Sequence, residues 1–197
     1  MYGHAMPHPL ASLRVDQIGS LLRPETLKQA FLRRARGKLD DAELALAQDE
    51  AIRAVVAEQE RHGWPFVSDG EYRRLNWQVS FSRVSGWDLW EGSWKAFLAQ
   101  PDNKAPDERP GTKGHDAVVS YRTPATGPLA LVENFPLAEH RFLKSVARVP
   151  TKITLMGPDR VRQMCDVQAS APHYTSEAGF LGAVAGIQAR MVGELVA

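Results

Sequence analysis

The sequence predicts an α/β chain: the N-terminal part, about three strands, of a TIM-type (β/α)8 barrel with a long inserted loop after the second strand. The first observation is a repeated kind of strand ending. IGSLLRP at Ile18–Pro24, WPFVSDGEYRR at Trp64–Arg74 and KITLMGP at Lys152–Pro158 each empty an apolar run into small or charged residues. Buried parallel strands that deliver polar groups to the C-terminal mouth of a barrel read this way. The second observation is helical periodicity between the first two endings, which makes a βαβ unit. The third is length: a closed barrel of eight strands takes roughly 250 residues. The chain has 197, so its three strands are expected to open a larger domain.

Each element has a local reason. Residues 1–12 read as a flexible leader with two prolines and two histidines. Leu13–Gly19 is the first strand. Pro24 suits the first position of a helix running to Arg36, because its missing N–H costs nothing there, and Gly37 ends it. Asp40 is the N-cap of a second helix, Asp41–His62, with Glu43 as its capping-box partner. Leu44, Gln48, Ala51, Ile52, Val55, Val56 and Gln59 keep the helical period, and Gly63 is the C-terminal stop. Trp64–Ser68 is the second strand. Residues 72–116 then break the rhythm with Trp77, Trp87, Trp90 and Trp94 and the polar stretch QPDNKAPDERPGTKGHD. A connection of that length is read as an inserted loop or lid. Ala117–Tyr121 alternates as a short strand. Pro136–Val149 reads as a helix, Thr151–Met156 as the third strand, and Pro158–Val167 as a helical turn. Thr175–Ala197 is a long helix with Phe180, Val184, Ile187, Met191 and Leu195 on one stripe.

Composition narrows the function classes. Hydrophobic residues are 44% and charged residues 24%, with a formal net charge of +1. That balance gives no electrostatic footprint for nucleic acid or for an anionic membrane. The single cysteine, Cys165, permits no intrachain disulfide and suits a reducing compartment. No apolar stretch is read as long enough to span a membrane, and the N-terminus lacks the pattern of a secretory signal. The expectation is a cytoplasmic protein.

The candidate site residues follow from the strand ends. Glu71, just after Gly70, is the leading one, because a glycine there lets a ligand or another backbone come close. Asp69 either binds substrate, caps a turn or pairs with an arginine. Ser20, beside Gly19, is either a ligand contact or plain loop chemistry. Arg73 and Arg74 offer planar forks to an anionic substrate, with one of the two assigned to an ion pair with Asp69 or Glu71. Trp77 either stacks on a flat ring or packs in the core. His4 and His8 sit four apart in a proline-punctuated leader, not on a helix, and are not read as a metal pair. Cys165 reads as a small buried hydrophobe. Neither phosphate-loop pattern occurs.

In this order and spacing, IGSLLRP, SDGEYRRLNWQVSF and VPTKITLMGP resemble the cobalamin-independent methionine synthase family. The likeness is to the zinc-containing catalytic barrel of its short 5-methyltetrahydropteroyltriglutamate–homocysteine methyltransferase members, and it runs from about Arg14 to Ala197. The resemblance implies transfer of a methyl group from 5-methyltetrahydrofolate, the co-substrate, to the thiol of homocysteine, which zinc holds as a thiolate. It implies that Ser20 and the Gly19 backbone hold the amino acid's carboxylate end and that Glu71 accepts its ammonium group. Asp69, Arg73 and Trp77 complete the substrate-binding set, and no catalytic residue is assigned. The family's zinc ligands are a His-x-Cys pair, a Glu and a distant Cys on later strands. This chain has no His-x-Cys, so zinc is expected of the full-length domain and no ligand is assigned here. Gln17 stands where many short members carry a histidine. The expected partners are small molecules, a homocysteine-like thiol and a reduced folate, together with self-association or a complementing C-terminal segment. Two rivals stay open: zinc-dependent alkyl transfer to another thiol such as coenzyme M, and a non-catalytic fragment.

Overall fold

A computed structural model describes residues 17–75, 81, 83–88 and 122–197. Its elements run α1 (Glu25–Ala35), α2 (Asp41–Arg61), β1 (Arg83–Ser85), β2 (Ala130–Glu133), α3 (Phe135–Val146), α4 (Pro158–Arg162) and α5 (Glu177–Val196), with a 3-10 turn at Gln168–Ser170. The readings of residues 1–12 and Ala117–Tyr121, and of Trp77, Trp90 and Trp94, lie outside the described residues.

The helices start and stop where local chemistry directs. Asp40 accepts from the Glu43 N–H while Glu43 accepts from the Asp40 N–H, both at 2.8 Å, which closes the capping box. Gly63, past the end of α2, has φ +71°, a conformation in which glycine avoids the Cβ clash. Asn134 and Ser176 cap α3 and α5 through their side chains.

Two hydrophobic clusters form. One packs α1 and α2 through Leu27, Phe31, Ile52 and Val56 against Val67, Tyr72, Leu75 and Leu143. The other joins Phe81, Val84 and Trp87 to Met156, Val161, Met164 and the α5 stripe Phe180, Val184, Ile187 and Met191. Trp87 meets Phe180 edge-on at 5.3 Å between centroids. Its indole N–H donates to Thr123 Oγ1 at 2.8 Å. Part of the stretch read as an inserted loop is therefore core, and β1 within it pairs antiparallel with β2.

The described sheet is this two-stranded ribbon, with Val84 opposite Leu131 and Ser85 opposite Ala130. The second and third expected strands meet in one parallel bridge, Val67 to Thr151. Val67 N–H donates to Pro150 O at 2.9 Å and Lys152 N–H to Val67 O at 2.8 Å. The bridge does not lengthen for two reasons. Pro65 and Pro150 bring no N–H on one side. On the other, Asp69 O is taken by the turn to Tyr72 and Thr154 O by the Arg74 guanidinium. The first segment docks on the second through buried Gln59, which accepts from Gln17 Nε2 at 2.6 Å and from Ser68 N–H at 3.0 Å. Glu177–Val196 corrects one sequence reading, since by length and composition it is apolar enough to cross a membrane, with mean hydropathy 1.2. Here its stripe is a core face.

Candidate functional site

The three strand-end segments deliver one polar cluster. Residues 69–71 make a tight turn in which Gly70 and Glu71 are both left-handed, at φ 67° and 60°. Glu71 is the single non-glycine residue with positive φ among the described residues, a conformation that costs an L-residue about 1–2 kcal/mol. Asp69 holds the turn by accepting the Glu71 N–H on Oδ1 at 3.0 Å. The turn lifts the Glu71 carboxylate to face the other two segments.

Glu71 is held from three sides. Thr154 Oγ1 donates to Oε1 at 2.6 Å, Arg74 NH1 donates to Oε1 at 3.2 Å, and Ser20 Oγ donates to Oε2 at 2.5 Å. Its side chain is 13% exposed. Burial pushes this carboxyl up, but the bonds from Ser20 and Thr154 and the charges of Arg74 and Arg23 outweigh it and hold it below the usual carboxylate range. Gly19 is required by this closeness. A Cβ there would stand 2.6 Å from Glu71 Oε1 and 2.6 Å from Thr154 Cγ2.

Arg74 is the centre of the network and is 2% exposed. Its Nε and NH2 meet the Glu139 carboxylate, NH2 at 2.7 Å. NH2 also donates to Thr154 O at 2.9 Å, and NH1 to Thr154 Oγ1 at 2.8 Å and to Glu71. All five guanidinium N–H donors are used. Desolvation lowers the Arg74 pKa, but Glu139, Glu71 and Asp69 around it raise it on balance. Glu139 has no solvent-exposed side-chain surface, and burial pushes its carboxyl up to about 7 against the opposing pull of Arg74. Arg23 braces the same turn by donating to the carbonyls of Glu71, Arg74 and Leu75.

The expected residues divide. Gly19, Ser20 and Glu71 come together. Asp69 is 2% exposed, and burial raises its pKa. One oxygen serves the turn, and Oδ2 meets no donor, so Asp69 is a turn-holder in this fold. Arg73 points away from the cluster to pair with Asp49, its guanidinium 4.5 Å over the Phe142 ring. It acts there as a clamp between helices α2 and α3 rather than on an anionic ligand. Trp77 lies outside the described residues. Sequence reasoning missed Thr154, Glu139 and Arg23. Glu139 did leave a signal, since it shares the buried side of α3 with Pro136 and Leu143.

No donor set for zinc exists among the described residues, where no group of three His, Cys, Asp or Glu side chains could hold a metal ion. Cys165 is buried with its Sγ 3.4 Å from Ser170 Oγ, and burial raises its pKa. Two cavities lie elsewhere, about 360 Å³ beside Arg53, Glu60 and Arg148, and about 520 Å³ beside Arg122, Asp166 and Tyr174. Neither is lined by Ser20 or Glu71. The convergence of polar side chains marks the site.

No family model matches the chain. The chain is similar to the uncharacterized protein YxjG of Bacillus subtilis (strain 168), at 30% identity over 149 residues covering 74% of this chain and 35% of YxjG. It is similar also to the uncharacterized protein YxjH of the same organism, at 30% identity over 151 residues covering 76% of this chain and 36% of YxjH. The chain spans about a third of the length of these curated relatives.

Proposed function

We propose that this chain supplies the amino-acid-recognising part of a methionine synthase-like methyltransferase, built on the first strand ends of a TIM-type barrel. The reaction would move a methyl group from 5-methyltetrahydrofolate to the thiol of homocysteine. One observation carries the reading: an ionised Glu71 held at the meeting point of the Gly19–Ser20, Asp69–Glu71 and Thr154 segments.

Bond counting says what this arrangement takes. Arg74 only donates, so Thr154 accepts from it and turns its own O–H to Glu71 Oε1. A carboxylate offers about four lone-pair sites. Two donors fill Oε1 and one fills half of Oε2, which leaves one site on Oε2. Ser20, exposed and donating to Oε2, keeps its own lone pairs open. The open side of the cluster therefore presents acceptors, which suits an ammonium group. A sulfonate-bearing thiol such as coenzyme M brings no donor of that kind, so the geometry favours homocysteine over that rival. The chain's own residues bind and orient the amino acid. No step is routed through zinc, because the described residues do not fit it.

Calorimetric titration with L-homocysteine and with its des-amino analogue, 4-mercaptobutanoate, tests this. A charge-assisted hydrogen bond is worth about 1.5–3 kcal/mol, so homocysteine is expected to bind roughly tenfold more tightly or better. E71Q should abolish the difference. Equal binding of the two ligands to the wild type would end the proposal.

A further inference from the structure

We propose that Glu139 is a positioning residue of this site: it fixes Arg74, and through Arg74 the orientation in which the Glu71 carboxylate meets the ligand's ammonium group. The inference rests on the reading of Glu71 as the ammonium acceptor.

Glu139 itself cannot touch a ligand. It lies on α3, buried, 65 residues from Arg74 in the chain. What it controls is one edge of a rigid plane. The Nε and NH2 edge of Arg74 lies on the Glu139 carboxylate at 2.7–3.1 Å. The guanidinium is planar and its donors are fixed as a fork, so seating that edge determines where NH1 points. NH1 points at Thr154 Oγ1 and Glu71 Oε1. Thr154 is oriented in turn, because accepting from NH1 leaves its proton for Glu71. Both bonds on Glu71 Oε1 thus descend from one buried carboxylate on another element, and they hold Oε2 as the open oxygen. Neutralisation of Arg74 alone would not need this geometry, since any nearby carboxylate could supply the charge.

The test uses the same two ligands on the whole chain. Selectivity is the ratio of the dissociation constants for 4-mercaptobutanoate and L-homocysteine. In folded E139Q, whose amide brings an N–H against the Arg74 donors, selectivity should fall about tenfold. Affinity for 4-mercaptobutanoate should stay near the wild-type value. A purely structural role would weaken both ligands together and leave the ratio unchanged, and that result in folded E139Q overturns the proposal. Should E139Q not fold, E139D decides, because it keeps a carboxylate beside Arg74 but withdraws it by one methylene: lower selectivity with affinity for 4-mercaptobutanoate retained supports the proposal, and wild-type selectivity overturns it. A wild type with no selectivity overturns the Glu71 reading first, and this proposal with it, so the two failures are told apart.

Discussion

Replacing Arg74 by methionine is the sharpest probe of the network, because the fold offers no substitute for its five donors. R74M keeps much of the side chain's length and bulk but leaves Glu139, with none of its side chain exposed, facing no cation. Breaking a buried pair by removing one partner costs about 3–5 kcal/mol. The bond from NH1 to Glu71 is lost as well. With a urea m-value of about 2 kcal/mol/M, the midpoint at pH 8 should fall by roughly 1.5–2.5 M. The cost must also depend on pH, since a stranded Glu139 can take up a proton instead. Glu139 titrates at about 7 beside Arg74, so the pair is ionised in the wild type only above that pH. The penalty should shrink by up to about 1.4 kcal/mol from pH 8 to pH 7 and change little from pH 7 to pH 5. R74M/E139L, which removes both charges, should recover most of the loss. Urea denaturation followed by circular dichroism at pH 8, pH 7 and pH 5 measures all of this. A penalty below about 1 kcal/mol at pH 8, or a double variant no more stable than R74M, would refute the reasoning.

Other perturbations follow from the same geometry. G19A pushes a methyl to 2.6 Å from Glu71 Oε1 and Thr154 Cγ2; it should cost about 1–3 kcal/mol in a urea melt and weaken homocysteine binding. D69N keeps an oxygen for the Glu71 N–H while removing a buried carboxylate whose Oδ2 has no donor, so its urea midpoint should equal or exceed wild type, whereas D69A should lose about 1–2 kcal/mol. Glu139 has a folded-state pKa raised to about 7 from 4.5. Its contribution is therefore fully present below about pH 4.5 and is lost as pH rises through 7. The stability difference between wild type and E139Q should accordingly narrow or reverse from pH 5 to pH 8.

Much of the helical frame was legible because helix ends are local. Asp40 and Glu43 lie three residues apart, and Gly63 follows the last turn of α2; both signals are written in adjacent positions. Gly19, Ser20 and Glu71 were legible as strand-end residues, and the structure brings those three together. The rest depends on long-range contact. Whether Arg73 or Arg74 turned inward was decided by Asp49 and Phe142 on one side and Glu139 on the other, none of them near in sequence. The parallel strands read from Trp64–Ser68 and Thr151–Met156 shortened to a bridge because side chains and turns captured their carbonyls. The β1–β2 ribbon escaped notice because Arg83–Ser85 is three residues long and its partner Ala130–Glu133 lies far along the chain.

The wide spacing of the cluster in the chain has a consequence for synthesis. The partners of the bond between Thr154 and Glu71 are 83 residues apart. At about 5–20 residues per second, a ribosome takes roughly 4–17 s to bridge that interval. Until Glu139 is made, 65 residues after Arg74, the nascent polypeptide displays Arg74 with neither Glu139 nor Thr154, and the α1–α2 pair without the Leu143 that later covers it. A side chain that is 2% exposed in the finished protein is thus open to chaperones and proteases while the chain is being made.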